Sequence, residues 1–373
     1  MYCVFLDSQN PKSYGGIFLK KLMFFVYSLR MGGSEKACVR MANALTDRYD
    51  VTICTVFGNA GLESEVSEKV HLISKFPQFI RGFAKIVYRL KPKRAYRFLV
   101  KDDYDIEIAV GDGLESFVIS GSPNPNKFSW VHINLGQNGT KRSQESIAKF
   151  NAFKKTICVS ESNKQAFINE IGLEDKTVVA YTPVDIAHIQ KLANKKKVSF
   201  EKTTFISVGR LEKVKGYDRL IEAVSSMERK DFQVIIIGDG TQRNGLQRMI
   251  KENDLSERVT LLGSLDNPYP YIKAADALIC SSYEESFGFA LVEAMCLRTP
   301  VITTKCGGVQ EIIKNSEQGL ICDNSVDGIK DGINRFLEDD SMIDTEKAFE
   351  RAASFDTKCL VDAFCKIIED ERD

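Results

Sequence analysis

An alternation of short apolar runs with segments of helical periodicity constrains this chain more than any other feature. "KLMFFVYSL" (21–29) reads as a buried strand. "SEKACVRMANALTDRYD" (34–50) reads as a helix with Ala37, Met41, Ala44 and Leu45 on one face, Ser34 as its N-cap and Glu35 in its first turn. "VTICTVF" (51–57) is the next strand. Strand, helix, strand in succession specifies a parallel sheet with crossover helices. Further strands are expected at 70–74, 106–110, 128–133, 155–160 and 177–183. A polar, lysine-rich stretch at 190–202 separates this series from a second one. The second has strands at 204–210, 232–240, 258–263, 277–282 and 300–305, with helices at 217–227 and 245–254 among them. The tail from 345 to 373 reads as helical throughout. Two such series imply an α/β chain of two Rossmann-like domains, and in sheets of this kind ligands bind at the carboxyl ends of strands. Two of them facing each other would make a cleft.

Length agrees with two domains, since 373 residues exceed one ordinary core. Lysine plus arginine equals aspartate plus glutamate, 51 each, which argues against a general nucleic-acid binder. The ten cysteines form no Cys-x-x-Cys, and only three histidines are present to join them. They read as small buried hydrophobes in a reducing cytosol, not as zinc ligands. The first twenty residues lack the pattern of a signal peptide, and no apolar run approaches the length of a membrane span.

Several loops carry candidate chemistry. In "SVGRLEKVKG" (207–216) a strand ends at Gly209, and Arg210 and Lys215 follow before a helix. Two cations and two glycines there suit a diphosphate, and they equally suit an ordinary solvated loop. In "YSLRMGGSEK" (27–36), Gly32 and Gly33 let backbone N–H groups come close to an anion; the alternative is a plain βα turn. "IIGDGTQRNG" (236–245) is a poor dinucleotide fingerprint: Arg243 stands where the third glycine belongs, so Gly238 and Gly240 read as a tight turn. Asp103 and Asp105 precede a strand, the wrong end for a metal site. His132 follows Trp130 near a strand's carboxyl end, a position that His71 and His188 lack. In "SSYEESFGFALVEAMCLRTPV" (281–301), Glu293 lies eight positions after Glu285, not Glu284, with glycine and aromatics between.

Together these motifs resemble the family 4 retaining glycosyltransferases of GT-B fold, from about residue 21 to the end and most closely over 204–313. The resemblance rests on "GG" at 32–33, "VGRLEKVKG" at 208–216, "IIGDG" at 236–240, "VTLLG" at 259–263, "NPYPYIKAAD" at 267–276, "EESFGFALVEAM" at 284–295 and "PVITTKCGGVQEII" at 300–313. It implies an acceptor domain at 21–188, a nucleotide-sugar domain at 189–355 and a C-terminal helix, 356–373, packing back on the first domain. Residues 1–20 form an extension of unknown role. By resemblance, Arg210 and Lys215 bind the donor diphosphate, and Gly32 and Gly33 approach it. Glu293 takes the ribose hydroxyls, Glu285 the donor sugar, and backbone near Leu262 and Gly263 the base. His132 lies by the reaction centre. Gly209 and the run Ser286, Phe287, Gly288 and Phe289 complete the donor-binding set, its N–H groups opening a helix toward the leaving phosphate. No metal or other cofactor is expected, because Arg210 and Lys215 supply the positive charge. Where the family often has Asn-Pro-x-Asp, this chain has Thr182-Pro183-Val184-Asp185, which keeps only the proline and the acid.

The expected activity is retaining transfer of a hexosyl group from a nucleotide-diphosphate sugar to a glycan, lipid-linked, in capsule or related cell-surface polysaccharide assembly. The expected location is the cytoplasm, peripheral on the inner face of the membrane. Every charged side chain from 76 to 101 is basic, with aromatics and aliphatics interleaved. Such a segment suits an anionic membrane face, or simply a solvated basic helix. Two rival readings remain: a sugar-nucleotide 2-epimerase of the same fold, for which three histidines offer little acid–base chemistry, and a non-catalytic sugar-nucleotide binding subunit.

Overall fold

The computed structural model describes residues 13–14, 17–132 and 143–369. The expected extension at 1–20 therefore lies largely outside the described residues. Strands β1 (Ser13–Tyr14) and β2 (Ile17–Phe18) pair antiparallel as a short ribbon. The rest forms two compact units. The N-terminal unit runs to Val159, resumes over Asn163–Pro183 and closes with the chain from Thr357; the C-terminal unit is Ser160–Ser162 and Val184–Asp356.

The N-terminal unit is built on seven parallel strands: β3 (Lys21–Ser28), β4 (Asp50–Phe57), β5 (His71–Phe76), β6 (Ile106–Val110), β7 (Lys127–Val131), β8 (Lys155–Cys158) and β9 (Thr177–Val179), in the order β5-β4-β3-β6-β7-β8-β9. The C-terminal unit has six: β10 (Thr203–Val208), β11 (Phe232–Ile237), β12 (Val259–Gly263), β13 (Ala277–Cys280), β14 (Val301–Thr304) and β15 (Leu320–Cys322), in the order β12-β11-β10-β13-β14-β15. Both sheets are the Rossmann-like, doubly wound kind expected from the alternation. Helices cover both faces, so central strands such as β6, β7, β13 and β14 are buried along their whole length and read as mainly apolar runs, with Glu107 and Lys127 the buried charged exceptions. Edge strands β5 and β12 differ, with most side chains only partly covered or exposed.

In each sheet the chain winds outward one way from the first strand, then returns to wind the other way. The reversal falls between β3 and β6 in one unit and between β10 and β13 in the other. The carboxyl ends of such neighbouring strands are where sheets of this kind bind their ligands.

Some boundaries differ from expectation. The helix expected over 34–50 ends at Ala44, with Leu45 as its buried C-cap. The strand at 320–322 is an addition, three residues being too few to show a period. The tail is not helical throughout: helices Thr345–Ala353 and Thr357–Glu369 are separated by a turn. The backbone there is used elsewhere. Val184 N–H donates to the Phe355 carbonyl at 2.9 Å, and Ile186 N–H to Asp356 Oδ2 at 3.3 Å. The last helix then packs on the N-terminal unit, placing Phe364 5.1 Å from the Trp130 ring and 6.4 Å from that of Phe24. Asp185 caps the helix Ile186–Ala193 by accepting from His188 N–H.

Candidate active site

In the C-terminal unit the reversal point brings together the loop after β10 (209–216) and the loop after β13 (281–288). They are stitched by backbone and hydroxyl bonds. Tyr283 N–H donates to the Val214 carbonyl at 2.8 Å, and Ser281 Oγ to the Lys215 carbonyl at 3.0 Å. Gly216 sits at φ +63°, and any side chain there would collide with the Ser281 carbonyl.

This stitching joins Lys215 to Glu285, seventy positions apart, at 2.6 Å. The pair is largely covered, the two side chains being 25% and 13% exposed. Glu285 Oε1 also accepts from Ser282 Oγ at 2.6 Å, and the Cys280 thiol lies 3.6 Å away. Burial opposes charge on both partners. The Lys215 ammonium and the bonds from Lys215, Ser282 and Cys280 nonetheless hold the Glu285 carboxyl below the usual carboxylate range. Glu285 in turn holds Lys215 above the ordinary lysine value. The site thus keeps a fixed cation and a fixed anion in contact in low dielectric. Arg210 is exposed and near enough for its charge to act on Lys215. A side chain at Gly209 would meet the Tyr217 hydroxyl at 2.9 Å and the Lys215 stem at 3.8 Å, so this glycine leaves the lysine its path.

Of the adjacent acids, then, Glu285 is the one bonded to Lys215. The segment after it is shaped by glycines. Gly288, at φ +106°, opens the helix Phe289–Cys296. Phe287 is buried between Phe289 and Phe355. Glu293 is carried inside that helix, 6% exposed, and accepts from the Tyr269 hydroxyl at 3.0 Å. Two further glycines, absent from the residue-level expectations, hold the Glu285 backbone. Gly308 N–H donates to the Glu285 carbonyl at 2.9 Å, and a side chain at Gly307 would strike that same carbonyl. Tyr269 is equally hidden, because nothing local marks a residue whose partner, Glu293, lies further along the chain, and Cys280 and Ser282 belong to no motif that marks them although Glu285 is near in sequence.

Elsewhere in this unit, Leu262 is exposed and Gly263 takes φ +86°, its carbonyl accepting from Gly238 N–H. Gly238 and Gly240 lie against the backbone of Gly209 and Leu211, the tight turn that the sequence suggested.

In the N-terminal unit, Gly32 is the extended N-cap of the helix Gly33–Ala44. The Glu35 carboxylate, held by Ser34 Oγ at 2.7 Å, folds over Gly32 where a side chain would otherwise stand. Across the reversal point, Glu115 Oε1 accepts from Tyr27 N–H at 3.2 Å. Burial, together with the charges of Asp112 and Glu35, raises the Glu115 carboxyl to about 7. Acid therefore lines the turn at which the sequence placed an anion. The His132 ring lies tilted against that of Trp130, centres 4.6 Å apart, and burial pushes its imidazole down to about 3. Its Nε2 has no hydrogen-bond partner among the described residues.

A doubly wound unit with a largely covered cation–anion pair at its reversal point is a Rossmann-like unit of the kind that binds ligands at the carboxyl ends of its strands. Comparison narrows the class. Residues 31–188 match the Glycosyltransferase Family 4 model and 189–354 the Glycosyl transferases group 1 model. The chain belongs to this family of glycosyltransferases, a retaining family. It is 25% identical over 358 residues to a Campylobacter jejuni N-acetylgalactosamine-N,N'-diacetylbacillosaminyl-diphospho-undecaprenol 4-alpha-N-acetylgalactosaminyltransferase, covering 91% of this chain and 96% of that one. It is 24% identical over 340 residues to an uncharacterised glycosyltransferase of Haemophilus influenzae, covering 87% and 92%. The structure of Anabaena HepE in complex with UDP-glucose superposes with a TM-score of 0.76 at 22% identity, over 94% of this chain and all of that one. This likeness establishes the GT-B fold.

Proposed function

We propose that this protein transfers a hexosyl group, with retention, from a nucleotide-diphosphate sugar to a lipid-linked glycan, at the cytoplasmic face of the membrane during cell-surface polysaccharide assembly. The observation that carries the reading is the Lys215–Glu285 pair at the reversal point, with Arg210 beside it. As the bond from the anomeric carbon to the phosphate oxygen breaks, negative charge grows on the diphosphate. Lys215 and Arg210 are cations placed to meet it, and Lys215, being largely covered, acts the more strongly. Glu285, already ionised, accepts hydrogen bonds from hydroxyls of the donor sugar. Glu293, beside Tyr269, accepts from the ribose. The N–H groups around Gly288 face the phosphate, and the backbone of Leu262 and Gly263 the base. The departing phosphate oxygen takes the proton of the acceptor hydroxyl as the new glycosidic bond forms on the same sugar face. This charge balance calls for no metal. His132, Gly32 and Gly33 enter the reading by family resemblance alone. The acceptor class is supported by the Campylobacter relative, named for action on a diphospho-undecaprenol glycan.

The test is a panel of UDP-, GDP- and ADP-sugars screened by thermal shift, since a ligand of the folded state raises Tm. Transfer or slow hydrolysis of the best binder is then measured in Arg210→Ala, Glu285→Gln and Glu284→Gln. Arg210 is exposed, so its loss leaves the fold intact. The first two variants should lose on the order of a hundredfold, and Glu284→Gln little. Equal, small losses in all three would overturn the assignment.

A further inference from the structure

We infer that the outward face of residues 73–98 is a docking surface for an anionic lipid bilayer. The described residues include nine large hydrophobic side chains that stand exposed, and six of them fall in this one segment: Ile73, Phe79, Ile80, Ile86, Tyr88 and Phe98. Between Lys75 and Lys101 the chain also carries nine lysines and arginines and no acid, in a protein of zero net charge. Exposed apolar groups and unbalanced positive charge are thus concentrated together.

The fold sorts these side chains by face. Helix Pro92–Leu99 buries Ala95, Tyr96 and Leu99 against the unit. Its exposed residues Lys93, Arg97, Arg94 and Phe98 then fall in one continuous arc of about 140° at helical spacing. The shorter helix Phe83–Val87 buries Phe83 and Val87. Continued through its C-cap Tyr88, it turns outward Tyr88, Lys85, Arg89 and Ile86, again as one arc. Phe79 is braced rather than loose: its ring lies 5.3 Å from that of Phe57, with the Arg30 guanidinium 4.6 Å from its centre. Lys75 similarly covers Phe98, 4.5 Å from the ring centre. Phe79 and Phe98 are therefore apolar groups held beside long cations, in a segment whose charged side chains are all basic.

Three kinds of partner could want such a face. A protein partner would need matching acid and a shaped apolar groove. A nucleic acid would use the cations and leave Ile73, Ile80 and Ile86 without purpose. An anionic bilayer uses both, with cations at the headgroups and Ile86, Tyr88, Ile80 and Phe79 at the acyl boundary. The inference does not depend on which donor or acceptor the enzyme uses.

The full chain is sedimented with vesicles of phosphatidylcholine alone, and of phosphatidylcholine mixed with phosphatidylglycerol, neither containing any glycan acceptor. Binding is expected to the mixed vesicles only, and to weaken with salt. Each cation near such a surface is worth about fivefold in partitioning. Lys93, Arg94 and Arg97 changed together to Gln should therefore weaken binding about a hundredfold. Ile86→Glu should weaken it while leaving Tm unchanged. Should the triple variant unfold, Ile86→Glu and the salt series carry the decision. Failure of the wild-type chain to bind mixed vesicles at low salt would overturn the proposal, as would binding indifferent to Ile86→Glu or an RNA competitor that binds more tightly than the vesicles. None of these outcomes bears on donor binding, which the thermal-shift panel reads separately.

Discussion

Lys215→Met isolates what the central ion pair does for the fold. Removing the ammonium leaves the Glu285 carboxylate, 13% exposed, with the Ser282 hydroxyl and the Cys280 thiol still beside it at 2.6 and 3.6 Å. Breaking a buried pair from one side costs about 3–5 kcal/mol, because the stranded charge is what is expensive. Lys215 is itself 25% exposed, so water relieves part of this and the low end, about 3 kcal/mol, is expected. For a unit of this size that is a fall of about 6–12 °C in Tm. Glu285→Gln keeps an acceptor for Ser282 and removes the charge. Added to Lys215→Met, it should therefore raise stability, not lower it. The pH dependence follows from the two shifts. Glu285 has a lowered folded pKa, so its contribution is present above the ordinary carboxylate value and is lost as pH falls through the lowered one. Lys215 has a raised folded pKa, so its contribution is present below the ordinary lysine value and is lost as pH rises through the raised one. Between those limits the penalty of Lys215→Met should be flat, and it should shrink in acid. Circular dichroism follows the unfolding, while Trp130, the single tryptophan, marks the N-terminal unit independently. A double variant less stable than Lys215→Met alone would refute the argument.

Other consequences are as direct. Gly307→Ala drives a methyl into the Glu285 carbonyl at a residue with φ +45°, and should cost about 2–4 kcal/mol in denaturant unfolding. Gly245→Ala, in the helix Arg243–Glu252 with no atom near its added methyl, should instead stabilise by about 0.5–1 kcal/mol. Burial holds His132 neutral with a pKa of about 3, so its contribution is present above the ordinary histidine value and is lost as pH falls. Relative to His132→Gln, the wild type should lose about 2–3 kcal/mol by about pH 4.5, read by Trp130 fluorescence; parallel pH curves for the two proteins would contradict this. Phe364→Ala empties a fully buried position between Phe24 and Trp130 and should cost about 3–5 kcal/mol with altered Trp130 emission.

The sequence by itself determined what is local. Apolar runs and helical periods fixed nearly every strand of both sheets, since a side chain's face follows from its spacing. The eight-residue interval to Glu293 singled out Glu285 over Glu284, and the loop at 209–216 supplied Arg210 and Lys215. Where the period gave too little signal, as at 320–322, or where backbone was claimed by a distant segment, as at 354–356, the reading failed. Only the tertiary structure decided which residues meet. It bonded Lys215 to Glu285, set Gly307 and Gly308 beneath the Glu285 backbone, gave Glu293 the hydroxyl of Tyr269 and folded Glu35 over Gly32. The order of strands, not their composition, brings the loops after β10 and β13 side by side. Contacts between residues seventy positions apart leave no periodic trace in a chain, because packing enforces them and spacing does not.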